Sequence, residues 1–101
     1  MMILLYGLEN IFGIKIMYKL IRERDNLTKV GKAIKYIEWN EVGRVSNSYD
    51  EPAIGRSLIL DPQYVAYTWL TTEITSFEYE GDVLKFDTKN SKYILETINP
   101  E

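Results

Sequence analysis

Trp69-Leu-Thr-Thr-Glu-Ile-Thr-Ser-Phe-Glu-Tyr79, Val83-Leu-Lys-Phe-Asp-Thr88 and Lys92-Tyr-Ile-Leu-Glu-Thr-Ile98 decide the fold. Apolar and polar residues alternate along these runs, which is the period of a half-buried strand. Glu80-Gly81-Asp82 separates the first two runs and Lys89-Asn90-Ser91 the last two. Glycine and asparagine tolerate the positive φ that hairpin turns need. The C-terminal third therefore reads as a three-stranded antiparallel meander. In its first strand the apolar face moves from Ile74 to Phe77 and Tyr79. A step of three in a period-two element predicts a bulge near Thr75-Ser76.

Working back from the meander, Ser57-Leu58-Ile59-Leu60 reads as a short buried strand ended by Asp61-Pro62. Residues 46–57 concentrate turn formers and read as a loop, with Pro52 disfavouring helix at Glu51. Residues 28–39 fit two templates. Val30, Ala33, Ile34 and Ile37 have helical spacing, with Thr28 as an N-cap. Gly31 and the β-rich run Ile34-Lys35-Tyr36-Ile37-Glu38-Trp39 favour a strand over 32–39 instead. Asn40-Glu41 then turns the chain into a strand from Val42 to Val45. Residues 14–23 alternate, with Ile14, Ile16, Tyr18 and Leu20 on one face, and Arg24-Asp25-Asn26 reads as a turn. Residues 1–16 are apolar with two glycines and read as an edge strand, a short helix, an oligomer arm or an extension before a start at Met17. The expectation is one all-β domain over 1–101, or a β-dominated α+β one. It is a small antiparallel barrel or sandwich of six to seven short strands.

The chain has 101 residues, no histidine and no cysteine. That removes a histidine base, a thiolate nucleophile and the usual zinc or iron ligands. No cofactor motif is present, so the reading is a binding protein and not an enzyme. The net charge is −3, with 12 basic and 15 acidic residues interleaved, which does not favour duplex DNA. Met1-Met2-Ile3-Leu4-Leu5-Tyr6-Gly7 lacks a basic flank and is too short to span a bilayer. The expectation is a cytoplasmic protein with no membrane association. Eight of 13 aromatic residues are tyrosine, a type enriched at interfaces and ligand sites.

Glu51-Pro52-Ala53-Ile54-Gly55-Arg56-Ser57, Thr68-Trp69-Leu70-Thr71-Thr72 and Thr88-Lys89-Asn90-Ser91-Lys92-Tyr93 resemble a pattern in small uncharacterised phage and bacterial proteins. The resemblance spans residues 51–93 and implies no reaction and no site. It implies a viral or bacterial accessory protein.

Two constellations are candidates for binding. The 44–57 segment offers Arg44, Asn47, Tyr49, Arg56 and Ser57. Its arginines match phosphate or carboxylate. The second group is Tyr67, Trp69, Thr71 and Thr72, aromatic faces beside hydroxyls. Each also has a plainer reading, as a solvated loop and as strand-surface residues. A hairpin tip at Lys89-Asn90-Ser91-Lys92 is a weaker phosphate candidate, and Glu78 and Glu80 read as a salt-bridged strand surface. Three functions follow. One is sequestering or sensing a small, planar, nucleotide-like anion, with the pocket between subunits of a homo-oligomer. Another is a protein-interaction module or inhibitor. The third is a single-stranded nucleic-acid binder. The first expects a concave aromatic pocket with arginine at its mouth, and the second a flat, exposed patch.

Overall fold

The computed structural model describes residues 16–63 and 66–98. The reading of the N-terminal segment as an arm falls on residues 1–15, outside the described part. Among the described residues, nine strands run in the order β1 (Met17–Arg22), β2 (Leu27–Gly31), β3 (Ile34–Trp39), β4 (Val45–Tyr49), β5 (Arg56–Leu60), β6 (Trp69–Leu70), β7 (Ile74–Glu80), β8 (Val83–Thr88) and β9 (Lys92–Ile98). They form two antiparallel sheets, ordered β2-β1-β9-β8-β7 and β4-β3-β5-β6. Neither sheet closes on itself, so the fold is sandwich-like and not a barrel. No helix occurs among the described residues.

The meander forms as the alternation predicts. Gly81 has φ 63° and opens the two-residue turn between Glu80 and Val83. The β7–β8 register shifts between Ile74 and Ser76, which is the expected bulge. The single long run from 69 to 79 is instead two strands. Residues 71–73 carry the chain from the four-stranded sheet to the five-stranded one.

Three expectations for the middle of the chain are corrected. Residues 27–31, helical in one template and left outside the 32–39 strand in the other, are β2, paired with β1 from Leu27↔Arg22 to Gly31↔Tyr18. Thr28 caps no helix; the tight turn before it, with Asn26 at φ 58°, returns the chain onto β1. Residues 42–44 belong to a turn, where the Asn40 side chain accepts from the Val42 and Arg44 amides. Residues 46–49, read as loop, are most of β4, because pairing with β3 outweighs their polar composition.

The core lies between the sheets. Leu20, Leu84, Phe86, Tyr93 and Leu95 from one sheet meet Tyr36, Leu58 and Leu60 from the other, with Ile74 at the corner. Phe86 and Tyr93 stack with centroids 5.1 Å apart. Ser57 and Ile59 alternate to the other face of β5 and are also buried. That explains the unbroken apolar run of this strand.

Two contacts pin one sheet on the other. At the first, β2 ends against β5: a Cβ on Gly31 would lie 2.7 Å from both Leu60 Cγ and Asp61 Oδ2. Only glycine fits that approach. Asp61 then accepts from the Lys32 amide at 2.7 Å, the Ala33 amide at 3.2 Å and the Thr68 hydroxyl at 2.7 Å. Burial works against its charge, but these bonds and the nearby Lys32 prevail and hold the carboxyl below its usual range. At the second contact, the Gly55 amide donates to the Ile74 carbonyl at 2.9 Å, joining β5 to β7.

Candidate functional site

The nine candidate residues do not converge. Asn47, Tyr49 and Arg56 share the inward face of the four-stranded sheet with Tyr36 and Leu58, by register. Glu38 lies among them, and its Oε1 accepts from Asn47 Nδ2 at 3.2 Å and from the Tyr49 hydroxyl at 3.0 Å. That bond to a carboxylate raises the Tyr49 pKa. The Arg56 guanidinium lies 3.5 Å from the Tyr49 ring centroid and donates to the Glu51 carbonyl at 2.8 Å. The arginine is therefore occupied by its own chain. Arg44 stands apart, exposed in the β3–β4 turn.

Ser57, Thr71 and Thr72 meet elsewhere, along a cleft of about 450 Å³ shared with Trp39, Glu73 and Lys89. Trp39 Nε1 donates to Ser57 Oγ at 2.9 Å. Thr71 Oγ1 accepts from the Leu58 amide at 3.0 Å and donates to the Thr72 carbonyl at 2.8 Å. These hydroxyls complete a sheet edge. Tyr67 is 53% exposed and lines a separate open cleft with Asp61 and Thr68.

Trp69 packs against the core from β6. Arg22 lies 5.2 Å and Lys29 5.7 Å from its ring centroid. Composition hid both cations, since neither sits near Trp69 in sequence. Arg22 is already engaged by Asp25, with Nη2 to Oδ2 at 2.8 Å. Trp69 Nε1 points to the Tyr93 hydroxyl at 3.5 Å, the outer limit of a hydrogen bond.

A different feature stands out at the other end of the five-stranded sheet. Phe77 pairs with Phe86 and Tyr79 with Leu84, so all four side chains share the inward face. Phe86 and Leu84 are 2% and 1% exposed; Phe77 and Tyr79 are 38% and 57% exposed. The four-stranded sheet covers β8 but leaves this part of β7 bare. β7 is also the outermost strand of its sheet. Tyr79 still lies near enough to Tyr36 to help raise that buried hydroxyl's pKa, after burial itself. On the opposite face of β7, Glu78 faces Lys85 across the strands, while Lys85 Nζ bonds Glu80 at 3.0 Å. The ion-paired surface expected for Glu78 and Glu80 is thus present between Glu80 and Lys85. The face shift after Ile74 already placed both aromatics on one face in the sequence; their exposure comes from the fold.

No group of three or more acidic residues among the described residues gathers in a metal-holding arrangement. No described helix is long and apolar enough to cross a membrane. Comparison with known proteins finds no family model, no curated protein and no solved structure that matches this chain.

Proposed function

We propose that this protein is a non-enzymatic interaction domain that engages a protein partner by accepting an extended segment along β7. The observation that carries this reading is the bare pair Phe77 and Tyr79 on an outermost strand, beside buried neighbours on the same face. An uncovered strand edge offers unpaired backbone groups, and flanking apolar side chains supply the area that makes strand addition favourable. A role as a phage or bacterial accessory protein rests on the sequence resemblance alone.

A second reading keeps the small nucleotide-like anion, and Lys29 beside the Trp69 ring is the observation that favours it. It has less support than the first. Neither of the two clefts described above is lined by Arg44, Arg56, Tyr49 or Trp69. Single-stranded nucleic acid has less still, because Lys19, Lys35, Lys85 and Lys92 each sit against a carboxylate.

Selection of a random peptide library on the immobilised protein tests the two, with a Phe77→Ser/Tyr79→Ser variant as counter-selection. A panel of nucleotides is run by thermal melting alongside. Peptides that bind the parent and not the variant support the β7 reading. No enriched peptide, together with a melting shift of several degrees from one nucleotide, replaces it with the anion reading.

A further inference from the structure

Among the described residues there are four outer strands, and three are blunted. β6 is only two residues long. β2 turns Lys29 to the inward side, because Lys29 pairs with the buried Leu20. A charge pointing inward from an edge discourages pairing. β4 carries the exposed Val45 and the half-buried Tyr49 at its ends, but the three residues between them, Ser46, Asn47 and Ser48, are small and polar. β7 has seven residues, with two aromatic side chains on one face and two carboxylates on the other.

The backbone groups of β7 point alternately to β8 and to the free edge. The two-residue turn Gly81-Asp82 closes on the pair Glu80–Val83. Such a turn closes on a hydrogen-bonded pair, and these pairs alternate with non-bonded ones along an antiparallel ladder. Glu80 and Glu78 therefore spend their backbone groups on β8. Tyr79 and Phe77 turn theirs to the free edge. The residues that offer main-chain hydrogen bonds outward are the same two whose rings lie bare.

The charge on the other face is unbalanced. Lys85 is the cross-strand neighbour of Glu78 but bonds Glu80. That bond leads the causes that raise the Lys85 pKa, and the charges of Glu23 and Glu78 add to it. Two carboxylates share one lysine here, and Asp82 adds another negative charge at the turn.

We infer that β7 accepts an extended protein segment that alternates apolar residues with lysine or arginine. This rests on the β7 reading above and gives the partner its chemistry. Residues opposite Phe77 and Tyr79 lie on the face of the two rings and are apolar. Residues opposite Glu78 lie on the acidic face, where cross-strand opposite charges are favourable. A second copy of β7 is a poor occupant, since pairing β7 with itself places the glutamates of both copies on one face.

The test uses two synthetic seven-residue peptides, Val-Lys-Val-Lys-Val-Lys-Val and the same peptide with glutamate for lysine. Amide NMR on the unmodified protein reads their binding. The lysine peptide shifts and protects the Phe77 and Tyr79 amides, and binds about tenfold tighter than the glutamate peptide at low salt. The preference shrinks as salt is raised. Glu78→Lys, an exposed change on the outer face, reverses the preference. Equal affinity of the two peptides at these amides overturns the basic partner while leaving strand addition intact. No effect of either peptide on these amides also overturns it. The library selection then decides separately whether β7 binds any chain. Concentration-dependent self-association through the same amides, without added peptide, overturns it in favour of a second copy.

Discussion

Phe86 and Phe77 sit opposite each other on adjacent strands, with the same side chain on the same face, yet one is buried and the other bare. Leu84 and Tyr79, two residues along the ladder, repeat the contrast. Alternation decides which face a side chain takes. Whether that face is covered depends on where the second sheet stops. Here it is pinned at the Gly31–Leu60 approach and at the Gly55–Ile74 bond, and the end of β7 projects beyond its cover. The covered end contributes its apolar area to the core, and the exposed end contributes less.

The sharpest way to break the contrast is to truncate both phenylalanines. Phe86→Ala should cost about 3–5 kcal/mol in denaturant unfolding, a large share of the stability of a domain this size. Phe77→Ala should cost less, about 1–2 kcal/mol, because 38% of the residue is open to water and less apolar area is lost from the interior. Equal losses would mean the bare end is part of the core.

Gly31→Ala comes next. The added methyl meets Leu60 and Asp61 and should destabilise by about 1–3 kcal/mol, by loosening the grip of one sheet on the other. Gly81→Ala meets no atom within 4 Å and is strained only by its positive φ, so it should cost about 1 kcal/mol. A loss at Gly81 as large as at Gly31 would remove the packing argument.

Asp61 gives a pH signature. Its carboxyl is held below the usual range, so the native state binds fewer protons than the unfolded chain as the solution is acidified. Its contribution is present above the ordinary aspartate pKa, about 4, and is lost as pH falls through the lower folded-state value. Asp61→Asn should flatten that acid limb and leave the stability profile between pH 6 and pH 8 parallel to the parent's, by about the accuracy of a melting series. An unchanged acid limb would assign the loss to other carboxylates.

The smallest expected effect is Glu78→Gln. The side chain is exposed and Lys85 bonds Glu80, so stability should stay within about 0.5 kcal/mol while the lysine peptide binds more weakly. A larger stability change would make Glu78 part of the fold's own ion pairing.

The meander was legible because its signals are local. Gly81 marks a turn, the bounds of β8 and β9 follow the alternation, and the step from Ile74 to Phe77 marks the bulge. β2 and β4 were not legible. Leu27-Thr28-Lys29-Val30-Gly31 and Val45-Ser46-Asn47-Ser48-Tyr49 carry few apolar residues, and each becomes a strand by pairing with a neighbour. The scatter of the candidate site residues was not legible for a related reason. Residue type marked Arg56, Tyr49 and Trp69 as binders, but the fold supplied each with a partner from its own chain: Glu51, Arg56 and Arg22. Type alone does not tell whether a binding group is already bound.

By itself the sequence determined a β-dominated chain, its C-terminal hairpins, the shift of face after Ile74, and the absence of histidine and thiol chemistry. These depend on period, turn chemistry and composition, which act over a few residues. Only the tertiary structure decided that there are two open sheets, that Gly31 and Asp61 fasten one to the other, and that Phe77 and Tyr79 stay uncovered. Coverage depends on contacts between residues far apart in the chain, and no local pattern encodes where the opposing sheet ends.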